Sequence, residues 1–330
     1  MAPLTITIIG SVNMDLVTLT SRIPSGGETL TATSFATGPG GKGANQAVAS
    51  SRLSRPKASS PSTNTHTPDI TVKMIGAVGA DSFGPTLIQS MKNDLIDTSG
   101  VKTVEGVSTG VAVILVESDS GENRILLNPG ANYSLRPENF LTPESLGSPL
   151  PSLIILQLEI PLDTVLQILK TAKEAKVDVL LNPAPAVKLP DSMFPSIGHL
   201  IVNETEAAIL TSRQVEEVEK EGFSWEGIGK EFLGKGVRNV VITLGGKGAY
   251  FAGKEGEGYV DAEKVERVVD TTAAGDTFVG AYAVNIVRGK GGITKEIVRL
   301  ACKAAGRTVE KQGAQSAIPW ADEVERVSKS

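Results

Sequence analysis

The sequence has few of the side chains from which many enzymes build their active sites. Its 330 residues include one cysteine, Cys302, and two histidines, His66 and His199. A single cysteine excludes an intramolecular disulfide, and three Cys and His residues are too few for a Cys/His zinc site, which takes about four such ligands. A Ser–His–Asp or Cys–His hydrolase is strongly disfavoured, because His66 lies in a polar tract and only His199 is left. Catalysis would therefore rely on carboxylates, backbone amides and bound ions.

Basic charge, aromatic rings and long apolar runs are also scarce. The chain has 32 Lys and Arg residues against 37 Asp and Glu residues, a net charge of −5, and 4% of its residues are aromatic. Nucleic-acid-binding proteins usually have a basic face or aromatic stacking platforms, so we expect no nucleic-acid partner. No segment reaches about 18 uncharged apolar residues, and the N-terminus lacks a signal-peptide pattern. We expect no membrane association and a cytoplasmic location, with the nucleus as an additional one.

Hydrophobic periodicity places the chain in the α/β class. Hydrophobic residues make up 40% of it, enough for one large core. After about residue 150, apolar β-branched runs alternate with amphipathic helical patterns, which predicts a doubly wound, mainly parallel sheet flanked by helices. The predicted strands cover residues 153–158, 177–181, 200–202 and 238–244, and predicted helices begin near Pro161 and Trp225.

The first third of the chain has a different pattern. After a predicted strand at 5–9, short alternating segments without helices cover residues 16–19 and 29–37, and similar segments recur at 110–117 and 124–127. Alternation is typical of half-buried strands. We therefore expect a small β-sheet lid, formed by about 16–37 and 110–128, within a single domain over 1–330. Residues 50–69 are rich in Ser, Thr and Pro and are expected to form a disordered insertion.

One motif combines small residues with a carboxylate at a predicted helix N-terminus. Residues 270–276 read Asp-Thr-Thr-Ala-Ala-Gly-Asp, between a strand-like run at 265–269 and an amphipathic helix at 277–288. Small residues leave the amides of Ala273, Ala274 and Gly275 free to face an anion, and the helix dipole adds partial positive charge. Asp276, beside this site, would accept a proton. The alternative is that Asp276 only caps the helix, and the motif alone does not decide between the two.

A glycine-rich loop precedes another predicted helix. Residues 38–45 read Gly-Pro-Gly-Gly-Lys-Gly-Ala-Asn. This is not a Walker loop, because Lys42 is followed by Gly43 where that motif has Ser or Thr, and the glycines do not have the dinucleotide spacing. The loop would instead bring backbone amides and the Asn45 side chain close to a polyhydroxylated ligand. An ordinary turn before a helix is the alternative.

Polar residues also follow several predicted strands. Each of them alone is as well explained by capping a turn or a helix. Open α/β sheets bind their ligands at the C-terminal edge of their strands, so five such residues indicate a shared site. They are Asp15, Glu159, Asn203, Thr243 and Asp276.

Two of these motifs resemble the signatures of a known family. Residues 40–46, Gly-Gly-Lys-Gly-Ala-Asn-Gln, and residues 270–278, Asp-Thr-Thr-Ala-Ala-Gly-Asp-Thr-Phe, are similar to the two signatures of the ribokinase-like carbohydrate kinases of the phosphofructokinase B type. Further matches at 182–186, 203–206, 243–248, 313–315 and 319–320 keep the order and spacing of that family. The resemblance covers essentially the whole chain.

The resemblance implies transfer of the ATP γ-phosphoryl group to the 5-hydroxyl of D-ribose. Asp276 would accept the proton, and the amides of Ala273, Ala274 and Gly275 would form an anion hole. The implied sugar-binding residues are Asn13, Met14, Asp15, Gly41, Lys42, Gly43, Ala44, Asn45, Glu159 and Asp276. The implied nucleotide-binding residues are Asn203, Thr243, Leu244, Gly245, Gly246, Lys247, Gly248, Gly275 and Cys302.

Two metal ions and a dimer are implied in the same way. Mg²⁺ would be steadied through water by Glu206 with Asn203, and the lid would close over the sugar and pair two subunits into a homodimer. The alternatives are a kinase of the same fold acting on 2-deoxyribose, another sugar or a nucleoside, and a non-catalytic sugar-binding regulator. The implied K⁺ site consists of Asp270, Thr272, Thr308, Lys311, Gly313 and Ala317.

Overall fold

The chain folds into two β-sheets and a set of helices. The computed structural model describes residues 4–57, 69–118, 122–220, 222–289 and 291–325. In chain order the strands are β1 (Leu4–Ile9), β2 (Asn13–Thr20), β3 (Ser34–Gly40), β4 (Ile70–Gly79), β5 (Asp97–Val104), β6 (Gly110–Glu117), β7 (Asn123–Asn128), β8 (Leu153–Leu156), β9 (Asp178–Leu181), β10 (His199–Asn203), β11 (Asn239–Thr243), β12 (Ala249–Gly253) and β13 (Gly256–Val260).

The helices connect these strands. Short three-ten helices lie at Gly130–Ser134, Pro137–Phe140, Pro143–Leu146, Asp191–Ser196 and Gly245–Lys247. The α-helices are α1 (Lys42–Leu53), α2 (Phe83–Asn93), α3 (Leu162–Glu174), α4 (Glu204–Leu210), α5 (Val215–Val218), α6 (Glu226–Gly234), α7 (Ala274–Arg288), α8 (Lys295–Val309) and α9 (Ala321–Glu325). Within the described ranges, none of these helices is long and apolar enough to span a membrane.

The large sheet has nine strands in the order β13-β12-β11-β10-β9-β8-β1-β4-β5. The pairs β11–β12 and β12–β13 are antiparallel, and the other pairs are parallel. Helices α1, α2, α7 and α8 pack on one face of the sheet, and α3, α4, α5 and α6 on the other. The central strands are buried on both faces, as parallel strands covered by helices must be. The predicted doubly wound, mainly parallel α/β fold is confirmed.

A second, smaller sheet is also present, as predicted. Its four strands have the order β3-β2-β6-β7, and we call it the small sheet. Strand β2 pairs in parallel with β6 and antiparallel with β3. The predicted strand at 29–37 begins only at Ser34, which pairs with Leu19. The Thr33 amide still donates to the Leu19 carbonyl at 2.8 Å, but β2 ends at Thr20, so residues 29–32 have no strand to pair with.

Residues 50–53 differ from the prediction of a disordered insertion at 50–69. Helix α1 continues to Leu53, and Ser50 and Ser51 are completely buried. The Ser50 hydroxyl donates to the Gln46 carbonyl at 2.7 Å, and the Ser51 hydroxyl donates to the Asp94 carbonyl at 2.6 Å. Such bonds satisfy a serine inside a buried helix, which composition alone does not reveal. Residues 58–68 of the predicted insertion lie outside the described residues.

Only three of the five polar residues that were expected to follow strands do so. Asn203 and Thr243 are the last residues of β10 and β11, and Glu159 follows β8. Asp15, however, lies inside β2, where the small sheet begins, and residues 265–269 before Asp276 form no strand. These two carboxylates therefore reach the edge from the small sheet and from the N-terminus of α7.

Candidate active site

Glu159 joins three segments of the chain at the C-terminal edge of the large sheet. Its Oε2 accepts hydrogen bonds from the Ser11 hydroxyl at 2.6 Å, from the Lys42 amide at 3.0 Å and from the Asn13 side-chain amide at 3.4 Å. These donors lie after β1, at the start of α1 and at the start of β2. Glu159 Oε1 has no hydrogen-bond partner among the described residues, so it is available to a ligand.

The glycine-rich loop allows the start of α1 to approach the end of β1 closely. Gly41 has a φ of +87°, which favours glycine. A Cβ at Gly43 would lie 2.6 Å from the Ser11 nitrogen, closer than atoms pack. The Gly43 amide donates to the Ser11 hydroxyl at 3.2 Å, and the Ala44 amide donates to the Ser11 carbonyl at 2.9 Å. The loop thus brings the backbone at the start of α1 against the backbone that follows β1, and this contact fixes the positions of the next residues of α1.

Asp276 lies in the first turn of α7 and faces α1. It is 7% exposed. Its Oδ1 accepts a hydrogen bond from the Gln46 side-chain amide at 2.9 Å, and its Oδ2 accepts one from the Asn45 side-chain amide at 3.0 Å. Two consecutive residues of the Gly-Gly-Lys-Gly-Ala-Asn-Gln motif therefore hold the carboxylate of the other motif, although about 230 positions separate them.

Asp15 adds a further carboxylate to this cluster. Its side chain lies against Gly40, where a Cβ would come within 2.1 Å of Oδ2. Burial, with smaller contributions from the charges of Glu159 and Asp276, raises the pKa of Asp15 to about 7. Three acidic side chains thus surround one small volume, which suits a ligand that offers several hydroxyl donors.

Lys42 and Glu206 face the same volume from α1 and α4. Burial alone would lower the pKa of Lys42, but the carboxylates of Asp276, Glu159 and Glu206 outweigh it and raise that pKa. Burial raises the pKa of Glu206, and Asp276 adds to the increase, against the opposing effects of the Asn203 amide and Lys42. Lys42 is therefore a positive charge placed among carboxylates.

The N-terminus of α7 has the expected small residues, with one difference. Ala273 adopts a left-handed conformation with a φ of 60° and caps the helix, a strained geometry that is found at functional sites. The Ala274 amide is not free, because it donates to the Thr271 carbonyl at 3.2 Å. The amides of Ala273 and Gly275 have no hydrogen-bond acceptor among the described residues, so two amides and not three remain for an anion.

A cavity of about 280 Å³ opens beside this helix N-terminus. Six of the residues implied for nucleotide binding line it, and one of them is Gly275 from α7. Cys302 is one of them, and burial raises the pKa of its thiol to about 11, with a contribution from Glu263, so the thiol stays protonated. The lining residues from the implied set are Thr243, Gly245, Gly246, Gly248, Gly275 and Cys302.

Three other residues implied for the nucleotide do not line the cavity. Leu244 is buried, and Lys247 reaches Glu204, with 4.0 Å between Nζ and Oε1. Asn203 caps α4: its Oδ1 accepts from the Glu206 amide at 2.8 Å, while Glu206 Oε2 accepts from the Asn203 amide at 2.9 Å. The capping role weighed against a ligand role is therefore present in the structure, and Glu206 Oε1 remains without a partner in the described part of the chain.

Only part of the implied K⁺ site is connected by hydrogen bonds. Asp270 Oδ1 accepts from the Thr272 amide at 2.9 Å and from its hydroxyl at 2.6 Å, and Asp270 Oδ2 accepts from the Gly313 amide at 2.9 Å. Burial alone would raise the pKa of Asp270, but these bonds lower it. An ionised carboxylate in an oxygen-rich turn fits a hard monovalent cation.

The remaining residues of that set make other contacts. The Thr308 hydroxyl donates to the Thr277 hydroxyl at 2.8 Å, and the Thr308 carbonyl accepts from the Lys311 amide at 3.1 Å. Lys311 Nζ lies 3.8 Å from Glu323 Oε2, and Ala317 is completely buried. Over the described residues, no group of three or more His, Cys, Asp or Glu side chains could hold a metal ion. A divalent ion would therefore depend on water and on ligand oxygens.

Several polar residues of the site were not predicted. Ser11 lies between the predicted strand at 5–9 and Asp15, and Gln46 lies inside the motif at 40–46. Gln157 is a lone polar residue in an apolar strand pattern, which is a usable signal for a buried functional group. Asn132 has no local pattern that would mark it. The residues that the structure adds to the site are Ser11, Gln46, Asn132, Gln157, Asn182 and Gln315.

Comparison with known proteins decides the family. The model of the pfkB family of carbohydrate kinases matches residues 4–321. The chain belongs to the pfkB family of carbohydrate kinases. It is therefore a kinase. The Asp276 carboxylate, the N-terminus of α7 and the cavity beside it are parts from which a phosphoryl-transfer site can be built.

Several relatives in this family have names of their own. A ribokinase of Schizosaccharomyces pombe is 42% identical over 323 residues, which cover 97% of this chain and 96% of that protein. A deoxyribokinase of Salmonella typhi is 36% identical over 316 residues, 95% of each chain. The crystal structure of ribokinase from Thermotoga maritima matches with a TM-score of 0.80 at 33% identity, covering 98% of both chains. Arabidopsis thaliana ribokinase, complexed with ribose and ATP, matches with a TM-score of 0.79 at 28% identity over 98% of both chains.

Proposed function

We propose that this chain transfers the γ-phosphoryl group of ATP to the 5-hydroxyl of D-ribose. The observation that carries the proposal is the position of Asp276, which lies between the carboxylate cluster and the two free amides at the N-terminus of α7. A hydroxyl held by the cluster and a phosphoryl group held by the amides would meet at this side chain. The relatives named ribokinase support ribose as the sugar, and the complex of the Arabidopsis protein with ribose and ATP supports the pair of substrates.

The sugar would be held by groups that accept its hydroxyl protons. Asp15 and the free Oε1 of Glu159 would accept from hydroxyls, while Asn13 and Asn45 would add side-chain amides. The loop at 41–44, which contains Lys42 and Ala44, would contribute its backbone. Each of these polar groups would lose a partner if the matching hydroxyl were absent, and this is how a site rejects an analogue.

The reaction would need positioning and charge neutralisation more than a strong base. The sugar oxygen forms a bond to the γ-phosphorus, and the bond from that phosphorus to the oxygen bridging it to the β-phosphate breaks. Asp276 takes the hydroxyl proton, and ADP leaves. The amides of Ala273 and Gly275 would stabilise the charge on the transferred group, together with the Lys42 ammonium.

The structure offers fitting donors for two ions. Glu206, a buried carboxylate with a free oxygen, would help to hold Mg²⁺ through water together with Asn203, and Mg²⁺, when bound, neutralises phosphate charge. Asp270, Thr272 and Gly313 would hold K⁺ in the turn that leads into α7. Order in that turn fixes the direction of the Ala273 and Gly275 amides.

The small sheet would be the lid over the sugar and the contact between two subunits. Strand β7 is exposed along its whole length, and Phe35, Ile125 and Leu126 on this sheet are 63%, 57% and 68% exposed. Exposed apolar side chains on a sheet are suited to an interaction surface. A homodimer would cover them.

Use of 2-deoxyribose is the second candidate function. Met14 lies between Asn13 and Asp15 and is 4% exposed, so a bulky apolar side chain stands beside the implied sugar residues. The 36% identical deoxyribokinase of Salmonella typhi favours the same possibility.

An assay of ADP release tests the proposed function. D-ribose, 2-deoxyribose, fructose and adenosine are offered in turn with ATP, Mg²⁺ and K⁺, and we expect the highest kcat/KM for D-ribose. In Asp276→Asn, kcat should fall by about 10²-fold to 10⁴-fold while ribose still binds, because a positioned general base contributes about that factor. Asp163→Asn, on the exposed start of α3, is the matched control. Turnover near the wild-type rate in Asp276→Asn would exclude the proposed mechanism.

A further inference from the structure

We propose that Gln46 is a positioning residue for the base, and that a chain of buried amides fixes the side of Gln46 that faces Asp276. The inference rests on the proposed function, in which Asp276 accepts the proton of the sugar hydroxyl. It concerns how the Asp276 carboxylate is held in one orientation among other carboxylates.

Gln46 uses its entire side-chain amide in buried hydrogen bonds. The residue lies on α1 and has no exposed surface. Its Nε2 donates to Asp276 Oδ1 at 2.9 Å and to Asn182 Oδ1 at 3.0 Å, which accounts for both hydrogens. Its Oε1 accepts from Gln157 Nε2 at 2.6 Å. The amide is thus contacted from α7, from the end of β9 and from the end of β8.

The direction of this chain is set by a backbone carbonyl. Asn182 Nδ2 donates to the Ile201 carbonyl at 3.0 Å, and a carbonyl is only an acceptor. Asn182 Oδ1 therefore faces Gln46, and Gln46 must donate to it from Nε2. If the Gln46 amide rotated by half a turn, its oxygen would face two acceptors, Asn182 Oδ1 and Asp276 Oδ1, and the buried groups would lose their partners at a large cost.

The two carboxylate oxygens of Asp276 therefore have different roles. Oδ1 is held as an acceptor by Gln46, inside the protein. Oδ2 accepts from Asn45, a residue implied in sugar binding, and retains a lone pair for the sugar hydroxyl. Gln46 therefore determines which oxygen takes the proton, and it holds the carboxylate plane while it does so.

Other charged groups surround the same carboxylate. Asp15 on β2 and Glu206 on α4 carry like charge, and Lys42 on α1 carries the opposite charge; each of the three interacts electrostatically with Asp276. The like charges repel the Asp276 carboxylate and the unlike charge attracts it, so its orientation depends on donors that hold it in place. The Gln46 donor holds Oδ1 without adding a charge that would compete for the phosphate.

The test is the pH profile of kcat in two variants at saturating ribose, where Asp15 is occupied by the sugar. Gln46→Met keeps the length of the side chain and removes the donor. We expect kcat at neutral pH to fall about tenfold or more, and the acid side of the profile to move upwards by about one pH unit, because a hydrogen bond to a charged acceptor has that magnitude. The KM for ATP should stay unchanged.

Gln46→Glu provides an independent outcome. A Glu at this position would face Asp276 Oδ1 at about hydrogen-bond distance, so the two carboxyl groups would share one proton. Activity should then persist at intermediate pH and fall again on the alkaline side, where the shared proton is lost. Gln89→Leu, with an exposed side chain on α2, is the control and should leave the profile unchanged.

The possible results separate this inference from the proposed function. Inactivity of the wild-type protein on ribose, or an active Asp276→Asn, would contradict the function itself. With those two results as expected, an unchanged kcat profile in either folded Gln46 variant would overturn the positioning role. If kcat falls but the acid limb of its pH profile stays at the same pH, Gln46 contributes only to packing, and the positioning role is overturned. Melting temperature and ribose binding establish that each variant is folded.

Discussion

The side-chain amide of Asn132 donates to Asn13 Oδ1 at 2.7 Å, and this contact sets which end of Asn13 faces Glu159. Asn132 Oδ1 also accepts from the Val12 amide at 2.8 Å. Asn132 follows β7, Asn13 begins β2 and Gly110 begins β6, where a Cβ would lie 2.2 Å from Asn13 Oδ1. The connections into and out of the small sheet therefore meet at one pair of buried amides.

Asn132→Asp should weaken ribose binding selectively. The new side chain would place an acceptor where Nδ2 now donates, so the Asn13 amide would turn over and lose its donor towards the sugar. We expect the KM for ribose to rise about tenfold, the size of one lost hydrogen bond to a buried group, with no change in the KM for ATP. Steady-state titrations of both substrates measure this. Asn139→Asp, which keeps the acceptor used by the Arg136 amide, is the control; an unaltered ribose KM would contradict the role of Asn132.

Asp15 predicts a pH dependence of both activity and stability. Burial, together with the charges of Glu159 and Asp276, raises its pKa from 3.8 to about 7, so the folded protein binds more protons than the unfolded chain between these values. Its contribution to stability is therefore complete below about pH 4 and is lost as the pH rises through about 7. The ionised form is the one that accepts sugar hydroxyls, so kcat/KM for ribose should rise over the upper part of that range.

Asp15→Asn separates the two effects of Asp15. The variant should bind ribose more weakly at pH 8, and it should lose both the rise of kcat/KM and the decline of the melting temperature attributed to Asp15. Melting curves and kcat/KM between pH 5 and about pH 8 check this. Identical profiles in the variant and the wild type would show that Asp15 does not titrate in this range.

K⁺ should stabilise and activate the protein through Asp270. We expect higher turnover in K⁺ than in Na⁺, and a melting temperature that rises with K⁺ concentration, because a ligand that binds only the folded state stabilises it. In Asp270→Asn both differences should shrink several-fold. Asp261→Asn, an exposed residue outside the turn, serves as the control. Equal rates and equal melting temperatures in the two salts would contradict the proposed K⁺ site.

Leu126→Asp should separate the subunits of the proposed dimer. Leu126 on β7 is 68% exposed, and a charge in a paired apolar surface is left without a partner. Sedimentation velocity should give the mass of two chains for the wild type and of one chain for the variant. A monomeric wild-type protein at micromolar concentration would contradict the dimer. Leu141→Asp, at a residue 60% exposed outside the small sheet, is the matched control.

Motifs in the sequence were sufficient for the fold class and for much of the site. The alternation of β-branched runs and helices follows from local packing, so the strands at β8–β11 could be predicted from periodicity. The small-residue loop at 270–275 and the carboxylate Asp276 are contiguous in the chain, and composition alone marks them. The same holds for the glycine-rich loop before α1.

The parts that could not be predicted depend on contacts between distant segments. Asn132 lies about 119 positions from Asn13, and Gln157 lies 111 positions from Gln46, so no local pattern links them. The valines of the run at 265–269 predict a strand, but the run forms none. Val265 and Val268 line the 280 Å³ cavity instead, and a β-branched residue has the same appearance in a sequence whether it faces a core or a ligand.

The walls of that cavity have a consequence for the choice of phosphoryl donor. Val265, Val268, Phe278 and Val309 give the cavity an apolar lining, and glycines and alanines form much of the remainder. A nucleotide base bound there, as proposed, would be recognised by its shape more than by hydrogen bonds to its edge. Exchange of one purine nucleotide for another would then need few substitutions, whereas the charged residues of the proposed sugar site would resist such change.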